Sequence, residues 1–131
     1  MKYFLAKTDP DTYSIDEFEK DKKTIWDGVH NYQAINFIKS MSVGDRVFIY
    51  HSMSDKAILG LAEVIGEPFE NTNDPRFSWA VDLKFIKSTR PIYLSEMKSA
   101  TELKDFLLIK NPRLSTMPVS KEVANWILER V

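Results

Sequence analysis

A chain of 131 residues without cysteine and with a formal charge of -1 has room for one domain. Such a domain buries roughly two thirds of its unfolded surface and needs no disulfide to fold. The composition excludes a thiolate nucleophile, a disulfide framework and any Cys-based zinc or iron–sulfur site, and it supplies no global pull on polyanions, because phosphate binding is driven by local Lys and Arg.

In chain order, Met1 to Lys7 holds too few apolar residues for a signal-peptide core or a membrane span, which predicts a cytoplasmic protein with no membrane partner. Tyr3 to Lys7 reads as a buried strand ended by the turn formers Asp9-Pro10-Asp11. Ser14-Ile15-Asp16-Glu17 has the spacing of a capping box, so a short helix is predicted after Ser14. Trp26-Asp27-Gly28 marks a turn, and Asn31 caps a helix whose Ala34, Ile35, Ile38 and Met41 recur at helical spacing.

Gly44 ends that helix. Arg46 to His51 and Ala57 to Ile65 are apolar runs joined by a polar loop, predicting a hairpin in which Gly60 marks a bulge or a close approach. The loop Glu67 to Arg76 leads to a strand in which Trp79, Val81, Leu83 and Phe85 alternate with Ala80, Asp82, Lys84 and Ile86. Short helical stretches follow around Leu94 to Lys98 and Thr101 to Leu107, and a last helix starts at the cap Ser120. Adjacent long strands with irregular helices between them predict an α/β (α+β) domain over residues 1–131, built on a mostly antiparallel sheet curled into a small barrel.

Catalytic patterns are absent from the sequence. The two histidines, His30 and His51, lack the spacing of a metal site, and no cofactor or metal is expected. His51 and Ser52 are neighbours on a strand, where adjacent side chains point to opposite faces, so they make a poor base and nucleophile pair. No Gly-x-Ser-x-Gly elbow or Gly-rich phosphate loop occurs. The carboxylate pairs Asp9/Asp11 and Asp16/Glu17 sit in a turn and at a helix start, where they serve stability.

Two groups of aromatic and polar residues remain: Trp26, Asn31 and Tyr32 beside Asp27-Gly28, and Tyr50, His51 and Ser52 at a strand end. Loop-adjacent residues of these types stack on a planar base and hydrogen-bond its edge. The plain alternative is that Trp26 and Tyr32 are core aromatics. From Lys84 to Arg113 basic residues outnumber acidic ones, which offers a phosphate-facing surface or an ordinary solvated one.

The segments Lys7-Thr8-Asp9-Pro10-Asp11-Thr12-Tyr13-Ser14-Ile15, Trp26-Asp27-Gly28-Val29-His30-Asn31-Tyr32-Gln33-Ala34-Ile35-Asn36, Val43-Gly44-Asp45, Tyr50-His51-Ser52 and Arg113-Leu114-Ser115 resemble, in order, the EVE domain of the PUA-like superfamily, thymocyte nuclear protein type included. The resemblance implies a pseudo-barrel of five or six strands with surrounding helices. It also implies a non-enzymatic module that recognises a modified base of DNA or RNA. A monomer is expected. It assigns Trp26 and Tyr32 to the walls of a base pocket, Thr8, Asn31, His51 and Ser52 to the polar edge of the base, and Lys7, Arg113 and Ser115 to the mouth, where Lys7 and Arg113 meet a phosphate.

The sequence departs from the family where arginine is common, at His30 and Ile35, and has Asp9 where Glu is frequent. Losing those two charges predicts a weaker phosphate contact. Two other readings stay open on sequence alone: a small hydrolase or nucleotide-processing enzyme using His51, and a protein-interaction module with a vestigial pocket.

Overall fold

The computed structural model describes residues 1–131. Its elements run β1 (Tyr3–Thr8), α1 (Ile15–Asp21), β2 (Lys23–Trp26), α2 (Tyr32–Lys39), β3 (Arg46–His51), β4 (Ala57–Val64), β5 (Phe69–Glu70), β6 (Trp79–Tyr93), α3 (Leu94–Lys98), α4 (Leu107–Lys110), β7 (Thr116–Val119) and α5 (Lys121–Leu128). A 3-10 turn over Thr101–Leu103 lies between α3 and α4.

The helix starts follow the capping chemistry. Ser14 accepts from the Glu17 N–H while Glu17 accepts from the Ser14 N–H, which completes the capping box of α1. Asn31 and Ser120 cap α2 and α5 by accepting from Ala34 and Val123. Ala34, Ile35 and Ile38 then face the core from α2.

The strands form one sheet in the order β2-β6-β4-β3-β1-β7, with β5 paired to the start of β6. All pairings are antiparallel except β1 with β3. That parallel pair needs a long crossover, and α1, β2 and α2 supply it. The sheet has seven strands where five or six are implied by the sequence resemblance, and its end strands β2 and β7 do not pair with each other. Both end strands are four residues long, which limits the unpaired backbone an open sheet exposes.

β6 runs through Pro91 to Tyr93 and continues well beyond its alternating stretch, bending past two register shifts against β4. One shift lies between Ile58 and Gly60. At Gly60 a Cβ would stand 2.3 Å from Ile15 Cδ1, so the missing side chain lets α1 lie on the sheet.

Candidate nucleic-acid interface

The pairing of β1 between β3 and β7 gathers the candidate site. Lys7 is level with Tyr50 and Thr8 with His51 across the parallel pair. On the other side the Lys7 N–H donates to the Ser115 carbonyl (2.9 Å), drawing residues 112–115 alongside. Strand periodicity then divides these residues by face. Lys7 and Tyr50 share one face, with the Lys7 ammonium 5.9 Å from the Tyr50 ring centroid. Thr8 and His51 turn toward α1: the Thr8 hydroxyl donates to the Tyr13 carbonyl (2.7 Å).

His51 is buried, and both of its ring nitrogens are occupied. Nε2 accepts the Ile15 N–H at the start of α1 (3.0 Å), which leaves the proton on Nδ1, 2.8 Å from Asp55 Oδ2. The residue ties the tip of the β3–β4 hairpin to α1. It lines neither of the two cavities around Lys7 and Thr8, and no free ring nitrogen is left to activate a nucleophile.

The first cavity, about 290 Å³, lies between the end of β1, the turn after it and β2. Its aromatic wall is Trp26, with Tyr13 beside it; the ring centroids are 6.2 Å apart and the planes 76° apart. Trp26 is 7% exposed and also packs on Phe18, so it is a core aromatic that at the same time lines this cavity. Its indole N–H has no partner within the protein. Thr8, Thr12, Thr24 and Asp27 supply polar lining. The volume is at the low end of small-ligand pockets, roughly 300–1,000 Å³.

The second cavity, about 490 Å³, shares Lys7 and Thr8 with the first and continues past Ser52, Lys56, Arg113 and Ser115. Three cations face one carboxylate there, that of Asp9. Arg113 and Lys56 form no ion pair. Lys7 donates to the Pro112 carbonyl (2.7 Å), and burial lowers its pKa from the ordinary 10.5, while burial raises that of Tyr50. The arrangement is a cationic cleft beside a neutral, aromatic-walled hole.

The structure therefore brings together Lys7, Thr8, Trp26, Ser52, Arg113 and Ser115, and it sets Asn31, Tyr32 and His51 apart from them. The Asn31 side chain caps α2. Tyr32, 71% exposed at the start of α2, packs on Phe77 and not on Trp26. Ile35 is buried in the core and lines neither cavity. His30 pairs with Asp74 (2.7 Å) on the opposite side of Asp27 and Gly28. Of the basic residues from Lys84 onward only Arg113 reaches the cleft; Arg90 and Lys110 are paired with Glu96 and Asp105.

Tyr13 and Lys56 are members of the site that sequence reasoning did not single out. Tyr13 reaches Trp26 only because β2 folds back beside the start of α1. Lys56 sits in the hairpin loop with φ of 46°, and neither residue carries a spacing signal that marks it.

A mixed sheet of this topology, with a parallel β1–β3 pair and an aromatic-walled cavity at its end, places the protein in the PUA-like α+β class. The chain belongs to the EVE domain family, whose model matches residues 2–130. Thymocyte nuclear protein 1 of Rattus norvegicus is 31% identical over 96% of this chain and 72% of its own length. A protein of Pseudomonas syringae superposes with a TM-score of 0.91 at 32% identity, covering 98% of this chain and 99% of that one. Human THYN1 protein, solved in complex with 5-methylcytosine-containing DNA, matches with a TM-score of 0.88 at 27% identity over 98% and 96% of the two chains. No helix is long and apolar enough to cross a membrane.

Proposed function

We propose that this domain is a non-catalytic cytoplasmic reader that binds one modified base of a nucleic acid, 5-methylcytosine in DNA being the first candidate. The observation that carries the reading is the pair of cavities divided by Lys7 and Thr8: one is walled by Trp26 and Tyr13, the other is rimmed by unpaired cations. A base lifted from its stack presents a flat apolar face and a polar edge, and its phosphate carries a negative charge. The first cavity offers an aromatic wall and three threonines; the second offers Lys7, Lys56 and Arg113. The DNA complex of the human relative supports the same ligand class.

The proposed division of labour assigns stacking or walling to Trp26 and Tyr13, edge contacts to Thr8, and phosphate contacts to Lys7 and Arg113, with Ser52 and Ser115 as neutral donors at the mouth. Each phosphate contact contributes about one unit to the salt slope of binding. His51 positions the loop and α1, and stays outside the ligand.

The test is a fluorescence-anisotropy titration of wild type and Trp26→Leu with single- and double-stranded DNA and RNA, unmodified or carrying 5-methylcytosine, at two salt concentrations. Leucine keeps an apolar side chain at position 26 while removing the stacking surface, and circular dichroism verifies that the variant is folded. Binding selective for the modified base as one protein per oligonucleotide, and lost in a folded Trp26→Leu, is the expected result. Equal, steeply salt-dependent binding by both proteins, or none by either, removes the pocket reading.

A further inference from the structure

A third cavity, about 370 Å³, adjoins the Trp26 cavity and shares Ile25 and Asp27 with it. From that shared rim it extends over Phe69, Asn71 and Asn73 to Asp74. Asp74 reaches across to His30, the residue two before Tyr32, and the same loop carries Phe77 onto the Tyr32 ring, with centroids 5.9 Å apart and planes inclined by 37°. Tyr32 is 71% and Phe77 47% exposed, and Ile25 between the cavities is 54% exposed. The course from the Trp26 cavity runs along this third cavity as far as Asp74 and Pro75, and the Asp74–His30 pair and the loop it belongs to join that end to two solvent-facing aromatics.

Two exposed aromatic rings packed on one another make a larger apolar patch than a single exposed side chain, and the loop that presents one of them is held firmly. Asp74 accepts from the Arg76 N–H (2.9 Å) and the Ser78 hydroxyl (2.8 Å) as well as facing His30. Those bonds, the Arg76 N–H first, hold its carboxyl down at about 2. Charge divides the course into two ends. Lys7, Lys56 and Arg113 lie on one side of the Trp26 cavity; Asp27 and Asp74 line the other, with Arg76 exposed nearby. A phosphate is repelled from the carboxylate end and a base is not, while Asn71 and Asn73 offer amide groups to a base edge.

We infer that Tyr32 and Phe77 form a second stacking site, taking a neighbouring base of the same strand whose modified base occupies the Trp26 cavity. The inference rests on the proposed reading of that cavity, and it makes the ligand a single-stranded or locally opened run of nucleotides. Sequence-tolerant stacking on exposed aromatics suits a flanking position, because every base has a flat face.

Two probes separate the sites: 5-methyldeoxycytidine monophosphate and a single-stranded DNA nonamer with one central 5-methylcytosine. They are titrated against wild type, Trp26→Leu and the double variant Tyr32→Ala/Phe77→Ala. Both aromatics are solvent-facing, and circular dichroism verifies the fold of the double variant. The expected result is that the double variant binds the nonamer about five- to a hundredfold more weakly, the range that one lost stacking contact gives, and binds the mononucleotide like wild type. An abasic nucleotide at one flanking position should reproduce the loss and make the double variant indistinguishable from wild type. Nonamer binding unchanged in the double variant but lost in Trp26→Leu overturns the second site alone and leaves the exposed pair to a protein partner. Failure of wild type to bind either probe overturns both readings.

Discussion

Tyr13 meets Trp26 edge to face, 6.2 Å between centroids, although one residue precedes α1 and the other ends β2. The positive edge of one ring against the negative face of the other fixes the orientation of the wall as well as its position, and such pairs contribute ~0.5–1.5 kcal/mol beyond area burial. Tyr13→Leu is expected to lose stability in that range in urea denaturation and to weaken binding of a 5-methylcytosine oligonucleotide. Tyr13→Phe, which lacks only the hydroxyl bonded to Asp21, should bind like wild type. A binding-neutral Tyr13→Leu rules out this orienting role.

Lys7 connects pH to both stability and binding. Burial lowers its pKa in the folded state, so the fold favours the neutral amine. The sign follows: its contribution to stability is present above the unfolded pKa of 10.5 and is lost as pH falls through the lowered folded value. At neutral pH the charged amine is a burden retained for its charge. Lys7→Met is therefore expected to be at least as stable as wild type at pH 7, while its salt slope for DNA binding falls by about one unit. Wild-type affinity should decline as pH rises toward 10.5, and Lys7→Met should show a smaller decline, because Lys56 remains in the cleft.

His51 is a structural residue on this geometry. His51→Ala leaves the Ile15 N–H without its acceptor, and an orphaned buried donor costs about 1–3 kcal/mol. The expected result is a lower denaturation midpoint with nonamer affinity changed far less than in Trp26→Leu. Turnover of nucleosides or short RNA that disappears in His51→Ala would reinstate the hydrolase reading.

Gly60→Ala tests how α1 is seated. Its Cβ would press on the end of the Ile15 side chain, 2.3 Å from Cδ1 and 3.0 Å from Cγ1. Overpacking of this kind typically costs ~1–3 kcal/mol. Ile15→Val removes the offending Cδ1, so the double substitution Gly60→Ala/Ile15→Val is expected to recover part of the loss, measured by thermal melting. Strictly additive losses would place the strain elsewhere.

Local chemistry was legible along the chain. Ser14 with Glu17, Asn31 and Ser120 marked three helix starts, because capping joins atoms only a few residues apart. The β3–β4 hairpin, the close approach at Gly60 and the placing of Trp26 and Lys7 around one cavity were likewise readable from residues or from the family's motif. β2, β5 and β7 were not: strands of two to four residues are too short to show an alternation.

Residue chemistry along the chain specifies which positions favour a cap, a turn, a buried face or a stacking surface. How those positions are shared between the core, the cavities and the exposed surface is set by strand pairing. Lys7 and Thr8 sit between two cavities because β1 pairs in parallel with β3 across a crossover of two helices and a strand. His51 went to α1 and Tyr50 to the cleft because successive strand residues point to opposite faces, and only the pairing fixes which face meets which neighbour. Tyr32, adjacent to the cap Asn31, left the Trp26 wall for Phe77 because α2 turns its apolar stripe inward and its first residue outward. Contacts such as Tyr13–Trp26 and Tyr32–Phe77 join residues far apart in the chain, and the burial of the whole core selects them.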